Sequence, residues 1–214
     1  MSSNAFLHRS HPRVFLLRHC RTEWDGQNRY VGQSDVPLSD RGREEAEALR
    51  HWFSAIPISR GIASDLMRSH ETALAVTRAR PFRVEIFREL REIGLGEWEG
   101  RTFEEIESID PDRFKARSED FIRHRPPGGE NFDDLQNRVV PFFERLVDEI
   151  QGNILIVAHA WVNRVLLCRL LGMPLAGLAS IGQDYGAINI ISLQGGRCLI
   201  ETINLSLELC RQPR

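Results

Sequence analysis

The chain has 214 residues, 42% of them hydrophobic and 27% charged, with a formal net charge of -2. That balance fits one globular domain large enough to bury a core without disulfide staples, and it argues against nucleic acid or an anionic membrane surface as the main partner. No stretch approaches the ~20 apolar residues of a membrane helix, and Cys20, Cys168, Cys198 and Cys210 form no C-x-x-C pair of the kind that builds a zinc site.

Residues 1–12 are polar and lack the apolar core of a signal peptide, so they are expected to form a flexible leader on a cytoplasmic protein with reduced cysteines. The run V-F-L-L within 13–18 reads as a buried strand. A polar loop with Gly26 and Gly32 follows, then a helix capped by Ser39 with Leu49, Trp52 and Phe53 on its apolar stripe. A short strand at 61–64 leads into a helix over about 66–78, and alternation at 82–87 predicts a third strand. Residues 90–129 are rich in glycine and proline and read as loops with one or two short helices, an insertion or lid over a site at about 93–129.

Helical spacing returns over 131–150, with Pro141 inside it. The segment N-I-L-I-V-A at 153–158 is the clearest buried strand, and a helix over 161–171 stops at Gly172-Met173-Pro174. Two strands, 187–193 and 198–203, close a hairpin around Gly195-Gly196. Alternating strands and helices followed by a hairpin predict a three-layer α/β/α sandwich with a mostly parallel sheet. The expected organisation is a single domain over 13–205 and a short tail at 206–214.

In open parallel sheets, ligands bind beyond the C-terminal strand ends. The residues there are Arg18 and His19 after the first strand, Ser64, Asp65 and Arg68 after the second, Glu89 and Glu92 after the third, and His159 after the strand at 153–158. Two arginines offer paired N–H donors to a phosphate. An imidazole can attack phosphorus and carry the phosphoryl group, and a second can stabilise its oxygens. A carboxylic acid can protonate the leaving alcohol and then activate water. This set suits phosphoryl transfer, which depends on positioning and charge stabilisation.

At these residues the sequence resembles the histidine phosphatase, or phosphoglycerate-mutase-like, superfamily. L-L-R-H-C-R-T-E-W resembles its signature, and N-R-Y-V-G-Q-S-D-V-P-L-S-D-R-G its following loop and helix start. A-S-D-L-M-R-S-H-E-T-A is similar to the second arginine motif, and L-R-E-I-G-L-G-E-W-E-G to the acid motif. P-G-G-E-N and V-A-H-A-W-V-N-R resemble the two downstream motifs, so six stand in family order. The resemblance implies His19 as nucleophile, Arg18 and Arg68 as phosphate ligands, His159 as charge stabiliser and Glu92 as proton donor and later base. It places Thr22, Asp25 and Ala160 around the substrate and Glu130 behind the site, with no metal or organic cofactor. Cys20 and Ala160 stand where the family has glycines, Asp25 where many members have an asparagine donor, and Val31 where threonine or glutamine is frequent.

Only 37 residues separate Glu92 from Glu130, fewer than in the mutases' basic lid, and Leu95 and Trp161 replace a tyrosine and an asparagine of the mutases. Hydrolysis of a small phosphorylated metabolite is therefore favoured over mutase-type transfer or a catalytically weak regulatory role. R-L-L-G-M-P-L-A-G-L and Q-D-Y-G-A-I-N-I-I resemble the α-ribazole phosphatase branch and broad-specificity members, which makes α-ribazole 5′-phosphate a candidate substrate. Glu89 is the rival of Glu92. His8, His11, His51, His70 and His124 read as surface or helix-face residues, Trp98 and Trp161 as packing or pocket wall, and Cys20 as a small buried filler. The arginines from Arg113 to Arg125 read most simply as a solvated helix face, with steering of anionic substrates, visible as a salt-dependent kcat/KM, as the alternative. A homodimer is open, since the hairpin offers an edge for pairing.

Overall fold

A computed structural model describes residues 11–207; the leader up to residue 10, the tail from residue 208 and Cys210 lie outside the described residues. Six strands form one sheet: β1 (Arg13–Arg18), β2 (Arg60–Ala63), β3 (Glu85–Ile86), β4 (Ile154–Ala158), β5 (Ile188–Gln194) and β6 (Arg197–Leu205). Their order is β3-β2-β4-β1-β5-β6. The first four run parallel, while β5 is antiparallel to β1 and β6 to β5.

Strand alternation explains the layers. Val14, Leu16, Ile154 and Ile156 enter one core, with Leu135, Val139 and Phe143 of α5 (Phe132–Asp148) and Val162 and Val165 of α6 (Ala160–Leu171). Phe15, Leu17, Leu155 and Val157 enter the other, with Leu49 and Phe53 of α1 (Asp40–Phe53) and Ala73 and Val76 of α2 (Met67–Thr77). Helices thus cover both faces, as expected. The segment over 93–129 contains α3 (Phe103–Ile109) and α4 (Pro111–Glu119).

Ser39 caps α1, accepting from Gly42 N–H at 3.1 Å. A Cβ at position 42 would lie 2.0 Å from the Arg21 carbonyl oxygen, so glycine alone lets this helix seat against the loop after β1. Asn131 caps α5 through a reciprocal box with Asp134. Gly172 ends α6 in the left-handed region, with φ 65°. The third strand is shorter than its alternation predicts: Glu85 and Ile86 alone pair, because β3 lies at the sheet edge and β2 offers only Ile62 and Ala63 to it. Phe82 and Val84 pack against the second core instead. No helix among the described residues is long and apolar enough to cross a membrane.

Candidate active site

The parallel strands deliver their C-terminal residues to one place. His19 follows β1 directly; its N–H donates to the Ala158 carbonyl at 3.0 Å, and its own carbonyl accepts from Gly186 N–H at 3.1 Å. The backbone is therefore clamped between the end of β4 and the loop before β5. The ring Nδ1 lies 2.7 Å from the Cys20 carbonyl oxygen. A carbonyl only accepts, so Nδ1 carries the hydrogen and the neutral ring keeps its lone pair on Nε2. Burial, then the charges of Arg68 and Arg18, hold the His19 pKa well below the usual histidine value. The imidazole is thus neutral at neutral pH, the state a nucleophile requires.

His159 caps α6 at the end of β4, fully buried, with its ring centroid 5.1 Å from that of His19. Its Nε2 lies 2.7 Å from Ser64 Oγ, while Nδ1 is buried with no protein partner. Burial, followed by Arg68 and His19, lowers its pKa well below the ordinary value. Arg68, in the first turn of α2, is 1% exposed and donates to the carbonyls of Ser34 and Gly32, each at 2.7 Å. Burial brings its pKa down to about 10, so it remains a cation at neutral pH. Arg18 donates to the Gln183 carbonyl at 2.7 Å and lies 3.7 Å from the centroid of the Tyr185 ring. The Nε groups of Arg18 and Arg68, like His159 Nδ1, are buried without a protein partner. Buried polar atoms are rarely left so, and the two guanidinium groups, both lining one cavity, suit an anion.

Glu92 is 8% exposed, and burial raises its pKa against the opposing pull of the Ile93 N–H and Arg68. Its Oε1 accepts from Ile93 N–H at 3.0 Å and its Oε2 from Trp161 N–H at 3.3 Å. Behind it, Arg138 donates to the carbonyls of Glu89 and Arg91 at 2.8 and 3.0 Å. Glu130 holds Arg138 at 2.7 Å and accepts from Gly94 N–H at 2.8 Å. Gly96 completes the turn with φ 56°; a Cβ there would lie 2.0 Å from the Pro127 carbonyl oxygen.

His19, Arg18, Arg68, Glu92, Thr22 and Ala160 all line one cavity of about 460 Å³, with His159 buried behind His19. The sequence from residue 14 to residue 206 matches the profile of the "Histidine phosphatase superfamily (branch 1)". The chain belongs to the histidine phosphatase superfamily.

This histidine phosphatase is 30% identical to the adenosylcobalamin/alpha-ribazole phosphatase of Escherichia coli (strain K12), over 90% of this chain and 95% of that one. It is 30% identical to phosphoserine phosphatase 1 of Hydrogenobacter thermophilus, over 92% and 94%. The crystal structure of the alpha-ribazole phosphatase from Shigella flexneri superposes with a TM-score of 0.86 at 30% identity, covering 90% of this chain and 96% of that one. Fold, family and pocket together make the protein a phosphomonoesterase of small phosphorylated metabolites.

Other expected residues lie elsewhere in this phosphatase. Asp25 does not line the cavity; its Oδ2 accepts from Arg21 at 2.6 Å, so the carboxylate turns away from the phosphate site. Arg21 is itself anchored on buried Glu45 at 2.7 Å. Glu89 does not line the cavity either. Cys20 is buried in the second core, and its φ is not positive, so replacing the family glycine needs no special backbone. One expectation is corrected: Arg117 is not on a solvated face but only 5% exposed, lining the cavity and donating to the His124 carbonyl at 2.9 Å. Arg113 and Arg125, by contrast, are exposed. His124 is half-buried and stacks on Trp98 rather than lying on the surface.

Sequence reasoning missed Tyr185, Ser64 as the His159 partner, and Arg138. Tyr185 stands in the Q-D-Y-G stretch that carries part of the family likeness. For Arg138, the available signal was a basic residue on the polar side of α5, two turns after Glu130.

Proposed function

We propose that the phosphatase reaction runs through a phosphohistidine on His19, with the phosphate gripped by Arg18 and Arg68. The observation that carries this reading is the His19 ring, neutral by burial and locked by the Cys20 carbonyl so that Nε2 is the free nitrogen. Nε2 attacks phosphorus as the bond to the leaving oxygen breaks. Glu92, whose pKa burial raises, gives its proton to that oxygen from its protonated form. Its carboxylate then takes a proton from water as the water displaces the phosphoryl group, restoring neutral His19 and releasing phosphate. Arg18, Arg68 and His159 stabilise the charge on the phosphoryl oxygens in both steps.

Beyond the cradle, Tyr30, Leu95, Phe103, Phe114, Phe121 and Trp161 line the cavity. This wall supports a leaving group with an apolar ring, and carbon at positions 95 and 161 supports hydrolysis over mutase-type transfer. The substrate in the names of the Escherichia coli and Shigella flexneri relatives, α-ribazole 5′-phosphate, is the first natural ester to assay. We read the protein as a cytoplasmic enzyme with a small metabolite, and neither nucleic acid nor membrane, as its partner.

The test is rapid quench with a ³²P-labelled monoester. Wild type should accumulate acid-labile, base-stable protein phosphate, and His19→Ala should show neither phosphoprotein nor turnover. Wild-type turnover by His19→Ala would end this reading.

A further inference from the structure

Five arginines line the cavity, Arg18, Arg29, Arg68, Arg117 and Arg164, against a single carboxylic acid, Glu92. Arg18 and Arg68 sit beside His19, and their two charges match one phosphate dianion. The other three line the same cavity but are not among the charges acting on His19, which are Arg68 and Arg18. Arg29 donates to Gln27 Oε1 at 2.9 Å and the Gly100 carbonyl at 2.6 Å. Arg117 donates to the His124 carbonyl and lies 5.1 Å from the Phe121 ring centroid. Arg164 donates to the Ile181 carbonyl at 2.8 Å and lies 4.4 Å from the Trp161 ring centroid. All these contacts are with neutral groups, which orient a guanidinium without cancelling its charge. Among the described residues, no carboxylate lies within 4.0 Å of any of the three.

Buried arginines elsewhere in the molecule behave differently. Arg13 pairs with Glu201 at 3.1 Å and Arg21 with Glu45 at 2.7 Å. Half-buried Arg138 pairs with Glu130 at 2.7 Å. That is the usual requirement for taking a charge out of water. Arg117 is as buried as Arg21, at 5% exposed, yet has no carboxylate partner and faces the cavity. Burial disfavours the charge on both Arg117 and Arg164.

We propose that the leaving group of the substrate carries a second anionic group, a carboxylate or a further phosphoryl, which Arg117 and Arg164 hold against the aromatic wall. This rests on the phosphatase reading and departs from α-ribazole 5′-phosphate, whose leaving alcohol is an uncharged nucleoside: the substrate class is a phosphate monoester whose alcohol combines an apolar ring with a negative charge. Arg117 and Arg164 select that alcohol, while Arg29, half-buried at the same cavity, adds to the attraction of anions.

The deciding experiment compares phenyl phosphate with 4-carboxyphenyl phosphate, esters of similar size and leaving-group acidity. A charge-assisted hydrogen bond to each arginine predicts a kcat/KM about 10–100-fold higher for the carboxylated ester, falling as salt is added. Arg117→Met and Arg164→Met, which keep an apolar stem, should each bring the ratio toward one, chiefly through KM; Arg117→Lys should recover part of it. Equal kcat/KM on the two esters in wild type, or a ratio untouched by both methionine variants, would overturn the proposal. A parallel comparison of 4-carboxyphenyl phosphate with 1,4-phenylene bisphosphate, which carries a second phosphoryl in place of the carboxylate, tells a carboxylate source from a phosphoryl one. If neither aryl ester of the first pair is hydrolysed, the rapid-quench experiment still decides the His19 reading, and calorimetric titration of the same two esters decides the charge inference. Tighter binding of the carboxylated ester supports it, and equal binding sinks it.

Discussion

The two ends of the cavity are built on different principles. At the strand ends, His19, Arg68 and His159 are at most 5% exposed, and hydrogen bonds to neighbouring segments orient each of them. At the far end, Tyr30, Phe114 and Phe121 are only partly buried and Phe103 is exposed, and three of the four lie on or beside the short helices α3 and α4. The first end is over-determined by a parallel sheet whose interior strands cannot shift without breaking their ladders. The second is set by side-chain packing on an inserted segment. On the proposed mechanism, the difference separates chemistry from selectivity: His19 and its arginine partners sit on the rigid scaffold, and leaving-group recognition on the adjustable wall.

Substitutions can break this division, starting with the strand ends. Loss of His19 should abolish turnover outright, with the phosphoprotein signal in rapid quench as its readout. Glu92→Gln should lower kcat by about 10²–10⁴-fold on alkyl phosphates and far less on p-nitrophenyl phosphate, whose leaving group needs little protonation. Equal losses on both would make Glu92 structural.

The pH profile sharpens the same point. Glu92 must be protonated to act as the acid, so kcat/KM on alkyl esters should fall as pH rises through its raised pKa. His19 must be neutral, so activity should fall on the acid side only below its lowered pKa. Activity therefore lies between these two limbs, and the alkaline limb attributable to the acid should vanish for p-nitrophenyl phosphate with Glu92→Gln.

Arg138→Met touches no substrate but releases the backbone that carries Glu92. It should cost about 10-fold in kcat with KM nearly unchanged, since small misplacements of a catalytic group cost rate rather than affinity. A KM effect of the same size would place Arg138 in binding. At the far wall, Phe121→Ala should raise KM about 3–10-fold for ring-bearing esters. Inhibition by inorganic phosphate, which reaches only the cradle, should change less than about twofold. If both move together, the two ends are not separable. The smallest effect should follow chelation: activity in EDTA equal to activity without it, whereas loss restored by a divalent ion would overturn the roles of His19 and Glu92.

Much of the cradle was legible because it depends on short-range order. Apolar runs located β1, β2 and β4, and the residues after them, Arg18, His19, Ser64, Arg68 and His159, necessarily met at one sheet edge. The N-cap Ser39 and the stop at Gly172 follow the same local chemistry. The short β3 was not legible, because its length depends on what the neighbouring strand offers.

The sequence by itself determined the alternation of strands and helices, the closing hairpin and which titratable groups stand at the strand ends. Only the tertiary structure decided that Asp25 turns to Arg21, that Arg138 braces the acid loop, that Tyr185 lies against Arg18 and that Arg117 faces the cavity rather than water. The reason is physical. Periodicity and capping report which face of an element is apolar, but a long polar side chain such as arginine packs its stem on carbon and places its charge several ångströms away. Where that charge arrives depends on elements distant in sequence, and no local pattern encodes their approach.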